Sequence, residues 1–287
     1  MASRLNVAVT GGAPNLLGSF TAAARSLPGD ADWTAFGVSH TPENCGHPWL
    51  WQKCSTTEVE PKPLNEGVED VTFQPFLVEY NAASCPGGIP GDWDQLSERA
   101  RRGLALRLSK GIAEAFSSST IHGDPNDSPN LPSTAIDITP VGGPSSLINT
   151  IAGLLEEAEA CGLNGEIYIH APGWTLPHWL NHNLIERVGN AWKMGPHTVI
   201  LDQGYSNEGP TGEGSDPDVP PSPVATAGQA YIYVTGPFEY ATGPLEVFED
   251  TTRGVDLRLN KANVIAGQLA IYRFDPCCVF AALAQVC

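Results

Sequence analysis

The segment DWDQLSERARRGLALRLSKGIAEAF, residues 92–116, constrains this chain more than any other stretch. Trp93, Leu96, Ala100, Leu104, Leu108, Ile112 and Phe116 recur at steps of three and four, the spacing that puts them on one face of an α-helix. Asp92 with Gln95 three residues later forms a capping-box pattern, and Pro90–Gly91 precede it. At 1.5 Å per residue such a helix is about 37 Å long. Gly103 and Gly111 interrupt it, so the helix is expected to bend or to pack closely there. Arg99, Arg101, Arg102, Arg107 and Lys110 place five of the chain's 15 basic residues on this one element.

Around this helix the chain is poor in charge and rich in turn formers: 30 Gly and 25 Pro in 287 residues, with 16% charged. That composition suits a loop-rich, strand-containing α+β protein and excludes a coiled coil or an ordinary helical bundle. Asp and Glu number 32 against 15 Lys and Arg, a formal net charge of −17. Affinity for phosphate comes from neutralising cations, so a basic-patch reader of nucleic acid or an anionic membrane surface is excluded. No window reaches the roughly 18–20 apolar residues of a membrane span. The opening MASRLNVAVTGGAP has no apolar core of signal-peptide length, so the protein is expected to be made in the cytoplasm. Seven cysteines (45, 54, 85, 161, 277, 278, 287) without C-x-x-C then suggest mostly reduced, buried thiols, with Cys45–Cys54 the one candidate disulfide.

Other elements follow from pattern. VTFQPFLVEY (71–80) reads as a strand with an irregularity at Pro75. A polar, Pro-rich link spans 119–144, after a helix stop at Ser117–Ser119. A second helix covers Ser145–Cys161 with Gly162 as its stop, and EIYIHA (166–171) is a strand. A third helix is expected from about Leu176 to Val188, burying Leu176, Leu180, Leu184 and Val188 and ending at Gly189. HTVILD (197–202) is a buried strand and 204–223 a long acidic Gly/Pro loop, a length that usually signals function. Strands at 230–236, 245–249, 262–274 and 277–285 make the last third β-rich. Near the start, Phe20–Leu27 is a short helical turn.

Trp33–Asp70 has no period of 2 or 3.6, yet it holds Trp33, Trp49 and Trp51 among four prolines. Such a segment cannot build its own core, so its indoles pack against the chain's own body or against a neighbouring subunit; both readings stand. Chemistry-bearing motifs are weak. His178-x3-His182 shares one helical face, but Trp179 stands where a zincin needs Glu. His40, Cys45, His47 and Cys54 lie close in sequence at a spacing that matches no common zinc module. Gly11, Gly12 and Gly18 lack a phosphate-loop pattern, there is no G-x-S-x-G, and Asp124, Asp127 and Asp137 do not form a Ca²⁺ loop. No catalytic residue, cofactor site or metal site is assigned.

The order of elements carries a resemblance. The helix at 92–116, the helix-to-strand run SSLINTIAGLLEEAEACGLNGEIYIHAP (145–172) and the closing RGVDLRLNKANVIAGQLAIYRFDPCCVFAALAQ (253–285) are similar to the tailed-phage major capsid fold of the Hong Kong 97 type, in its actinobacterial-phage form. The resemblance implies an N-terminal arm (1–32), an extended loop over a neighbour (33–69), a peripheral domain (70–140) with a spine helix at 92–116, an axial domain (141–226) and return strands of the peripheral domain (227–287). It implies a non-enzymatic subunit forming hexamers and pentamers of an icosahedral virion, assembled in a host cytoplasm, with portal and scaffold or decoration proteins as partners and double-stranded DNA packaged without sequence specificity. Trp33, Trp49 and Trp51 become interface anchors. Arg99 and Arg102 become interface candidates, meeting acids on neighbours or facing DNA. An encapsulin-type shell around a cargo enzyme is the alternative within the same fold. Outside that fold stand a zinc-dependent enzyme built on the His/Cys groups above and a monomeric module presenting the tryptophans to a ligand.

Overall fold

Two kinds of strand run through the chain. Residues 76–83 alternate between covered and open side chains, whereas 168–172, 230–235 and 280–284 are buried on both faces. A computed structural model describes residues 19–27, 37–42, 70–84, 93–118, 128–163, 165–211, 222, 224–248, 255–256 and 261–287. In chain order these form α1 (Phe20–Ala23), β1 (Arg25–Ser26), β2 (Val38–His40), β3 (Val71–Phe73), β4 (Phe76–Ser84) and the long helix α2 (Trp93–Ser117). There follow α3 (Leu131–Thr134), β5 (Ile136–Asp137), β6 (Ser145–Ser146), α4 (Leu147–Cys161), β7 (Tyr168–Pro172) and, after a 3₁₀ turn, α5 (Leu176–Asn181). The remainder is β8 (Glu186–Val188), β9 (Ala191–Met194), β10 (His197–Asp202), β11 (Gln229–Thr235), β12 (Phe238–Phe248), β13 (Val255–Asp256), β14 (Lys261–Phe274) and β15 (Phe280–Gln285).

The first sheet is built on β14, with antiparallel neighbours β4 on one side and β12 on the other. Its pleat sends Val264 and Ala266 of β14 and Ala82 of β4 to the same face, where they meet Leu96, Ala100 and Leu104 of α2. Leu96, Ala100 and Leu104 of the apolar stripe read from the sequence therefore lie on this sheet. Gly103 and Gly111 do allow close packing: a β-carbon at Gly103 would fall 2.1 Å from the Tyr80 ring, and one at Gly111 would fall 2.7 Å from Val78.

The second sheet runs β5-β15-β11-β7-β10-β9-β8, with β6 also on β15. Side chains of β11 divide between two cores: Ala230, Ile232 and Val234 face α4, while Tyr231 and Tyr233 face the long helix and the first sheet. On the α4 side, Leu147, Ile151, Leu154 and Ala158 complete the layer, and Gly162 ends that helix in the left-handed conformation. Strands β11 and β15 thus belong to the sheet of β7 and β10, while β12 and β14 form the other sheet.

Four expectations change. The helical turn expected over Phe20–Leu27 ends at Ala23, and Arg25–Ser26 pairs as a strand with β12. The helix expected over Leu176–Val188 stops at Asn181: Asn183 turns left-handed (φ 53°), and Glu186–Val188 pairs with Ala191–Met194 across a turn opened by Gly189 (φ 63°). Leu180 and Val188 are exposed, and the buried side chain is Trp179, whose indole donates to Thr175. Leu176 and Leu184 still pack partly against the α4-side core, so the chain uses only half of the apolar face that the spacing imitated. The link at 119–144 holds structure in its described part: Asn130 and Ser133 form a reciprocal capping box opening α3, and β5 pairs with β15. Finally, among the described residues the thiols are not mostly reduced. Cys161 is bonded to Cys278, 117 residues away, because α4 packs over β15 and its last residue reaches the approach to that strand; Cys277 is disulfide-bonded as well, and Cys287 is free and exposed. A cross-link closing so long a loop contributes about 2–4 kcal/mol.

Replacing a helical Gly by Ala ordinarily stabilises by about 1 kcal/mol. Gly103→Ala is expected to reverse that sign, because the new methyl enters the Tyr80 ring that Arg107 covers from 4.9 Å. The expected loss is about 1–3 kcal/mol in chemical denaturation, and it disappears when Tyr80→Ala is also present.

Candidate functional site

The two sheets meet at the end of α2. Phe116 lies within 5.1–5.8 Å of the rings of Phe20, His170, Phe238, Tyr272 and Phe274, which come from α1, β7, β12 and β14. All of these are buried. The helix therefore ends inside an aromatic junction, where polar groups need partners.

Those partners are present. The Ser117 hydroxyl accepts from the Ser206 amide at 2.9 Å, the Ser206 hydroxyl donates to the Ser117 carbonyl, and the Tyr272 hydroxyl donates to the Ala115 carbonyl at 3.3 Å. Residues 204–211, the start of the long loop expected at 204–223, are thus fastened to the helix terminus; Asn207 adds bonds to the backbone of Gln229 and Tyr231. Buried Asp202, at the end of β10, accepts from the Phe20 amide (2.9 Å), the Ser109 hydroxyl (3.2 Å) and the Gly204 amide (2.9 Å). One carboxylate thereby joins α1, α2 and β10.

His170 lies on the buried strand β7. Thr235 donates its hydroxyl proton to the Gly236 carbonyl at 2.8 Å, so its oxygen accepts from His170 Nε2 at 2.9 Å. That leaves Nδ1 to accept from the Tyr205 hydroxyl at 2.7 Å. The network sets a neutral ring with one tautomer. Burial holds the His170 pKa down to about 3, and burial together with Asp202 pushes the Tyr205 hydroxyl well above its ordinary range. At the sheet's outer side, Glu166 accepts from Lys193, Thr198 and Tyr168. Burial pushes its carboxyl up, but these three donors outweigh burial and hold it below the ordinary value. No local motif announces either network; the only hint is a histidine inside an otherwise apolar strand.

Of the residues singled out from sequence, Arg99 and Arg102 stand exposed on α2, with Arg102 3.7 Å from Glu98. Trp33, Trp49, Trp51, Cys45, Cys54 and His47 lie outside the described residues. His40 is in β2. His178 faces Trp174 with ring centres 6.5 Å apart, while His182 caps the short helix that contains His178. Among the described residues, no group of three His, Cys, Asp or Glu is placed to hold a metal, and no helix is long and apolar enough to cross a membrane. Beyond its polar networks, the surface that stands out is the exposed side of α2 and the opposite, open face of the first sheet.

No family model matches this chain, and no curated protein matches it. Solved structures do. The capsid of an empty GTA particle aligns over 94% of this chain and 97% of its own, at 15% identity and a TM-score of 0.51. A structure of Mycobacterium phage Bobi aligns over 99% and 94%, at 14% identity and a TM-score of 0.52. The chain has the α+β, Hong Kong 97-like capsid fold.

A histidine that stays neutral in the folded state makes stability depend on pH. The unfolded chain takes up this proton near pH 6.5 while the folded chain excludes it down to about pH 3, so stability falls as pH drops through that window, by up to about 1.4 kcal/mol per unit. His170→Gln is expected to flatten the slope by one proton in urea titrations at pH 7.5, 6 and 5; an unchanged slope would rule His170 out as its source.

Proposed function

We propose that this chain is the major capsid subunit of a tailed bacteriophage, self-assembling as hexamers and pentamers into an icosahedral head around double-stranded DNA. The observation that carries the reading is the extent of the fold likeness, which takes in nearly all of this chain and nearly all of a GTA capsid subunit. A chain with this fold, as a shell subunit, acts through surfaces, not through a catalytic cleft, and needs no cofactor. Its charge of −17 repels packaged DNA and favours loose, sequence-independent packing over adhesion. Within the virion, portal and scaffold or decoration proteins are its further partners, and assembly takes place in the host cytoplasm.

The reading divides the chain into an arm (1–32), an extended loop (33–69), a peripheral domain (70–140 with 227–287) and an axial domain (141–226), with β11 and β15 pairing across to the axial sheet. Support for the extended loop comes from its root. Val38–His40 pairs antiparallel with Val71–Phe73, and the Thr41 hydroxyl donates to Asp70 at 2.5 Å, so the excursion leaves and returns at one point. Trp49 and Trp51, carried on that excursion, anchor it to a neighbour.

Electron microscopy after size exclusion is expected to show closed icosahedral particles. A chain that remains a 30.4 kDa monomer under all assembly conditions, scaffold included, would sink the reading. Trp49→Ala and Trp51→Ala are expected to lose particles while keeping the wild-type unfolding midpoint; normal particles from both would remove the tryptophans from the interface.

A further inference from the structure

The chain passes between its two sheets at neighbouring crossings. Thr235 ends β11 in the second sheet and Phe238 opens β12 in the first; Phe274 ends β14 in the first and Phe280 opens β15 in the second. The pairs Val234–Phe280 and Phe238–Phe274 bracket Gly236–Pro237 and Asp275–Val279, where one sheet gives way to the other. Buried Asp275 accepts from the Cys277 amide at 3.0 Å, and Cys278 takes the left-handed conformation (φ 60°). The Cys161–Cys278 bond ties the second of these crossings to the last residue of α4.

That bond is not what seats α4. Ser146 caps the helix at its start, Gly162 ends it, and Leu147, Ile151, Leu154 and Ala158 bury one face on the second sheet. Cys278 lies in the same apolar core, where a free thiol packs as a small hydrophobe. A reduced subunit therefore has what this layer needs to fold. Cys161, by contrast, is only partly covered, so one end of the pair is open to reagents in solvent. A chain made in a cytoplasm is bathed in a thiol pool that keeps such pairs reduced. A bond that folding does not need, in a chain made there, belongs to a later compartment.

We propose that Cys161 and Cys278 are a site of late oxidation: thiols in the cytoplasm where the chain is made and assembled, a disulfide after release from the cell. The inference rests on the shell reading above, from which cytoplasmic assembly comes, and adds a redox-timed cross-link to it. The reagent is a small-molecule disulfide of the oxidised-glutathione class. The Cys161 thiolate attacks it, forming a mixed disulfide and releasing one small thiolate. Cys278 then loses its proton, its thiolate attacks Cys161 Sγ, the mixed S–S bond breaks and the second small thiolate leaves. The two protons lost by the protein go to the two released thiolates; the protein is oxidised by two electrons and the reagent reduced by two. A cross-link between residues 117 apart restricts the unfolded chain and leaves the folded contacts in place, so it adds durability to the released particle without altering assembly.

The test uses the wild-type, full-length chain produced in a reducing cytoplasm. Cells are lysed into excess N-ethylmaleimide, particles and soluble subunits are separated, and both are mapped by peptide mass spectrometry. Cys161 and Cys278 are expected to carry the label in nearly all chains, as is the exposed Cys287. A parallel sample, unlabelled and held with glutathione disulfide, is expected to yield the Cys161–Cys278 cross-linked peptide. Its melting temperature should rise, and a phosphine should reverse the rise. Cys161→Ala, which leaves the buried thiol in place, is expected to rise by at least about 5 °C less than wild type. A bond already present in the labelled sample overturns the proposal, as does a pair that stays reduced under glutathione disulfide. An equal rise in C161A overturns it as well. Late oxidation in soluble subunits that never form particles would keep the timing and sink the shell reading; closed particles already cross-linked at lysis would keep the shell and sink the timing.

Discussion

Phe116 is the residue on which the two sheets depend. The long helix could lie on the first sheet by its Leu96–Leu104 stripe alone, but only its end carries a ring into the space between the layers. Five other aromatic rings close around Phe116. Edge-to-face pairs of this kind add about 0.5–1.5 kcal/mol each beyond the area they bury, and they hold α1, β7, β12 and β14 in one cluster. The angle between the sheets is consequently set by the packing of rings, which tolerates little change in shape.

Bringing a helix terminus into such a junction obliges the surrounding polar groups to satisfy one another. Asp202, Ser117, Ser206 and the His170–Tyr205–Thr235 chain do this with hydrogen bonds between segments far apart in sequence. Each of these bonds is modest in water, but leaving its donor or acceptor unpaired in this core costs about 1–3 kcal/mol. The segment after β10 is ordered for this reason, and the Cys161–Cys278 bond ties α4 to the approach to β15 on the other side of the second sheet.

The same architecture decides which described surfaces stay open. With the sheets joined through an inward-facing aromatic cluster, the outer side of α2 and the open face of β4–β14–β12 are left to solvent, one bearing cations around a leucine and the other carboxylates around an apolar centre.

Residues 93–117 were legible as a helix, and β7, β10, β11, β14 and β15 as strands, because periodicity and runs of β-branched or aromatic side chains act over a few neighbouring residues. The failure at 176–188 has the same origin: four apolar residues at helical spacing satisfied a local rule, while Asn183 and the turn at Gly189 were responding to the edge of a sheet assembled elsewhere. Arg99 and Arg102 were legible as exposed basic residues on a helix. The register row Glu79–Gly267–Glu246 was not, since it exists only after β4, β14 and β12 align across nearly 190 residues of sequence. By itself the sequence determined the long helix, the α+β class and the exclusion of charge-driven nucleic-acid binding. The tertiary structure alone decided the strand order, the Cys161–Cys278 pairing and the neutral His170, because pairing, proximity and burial are properties of segments brought together by the fold.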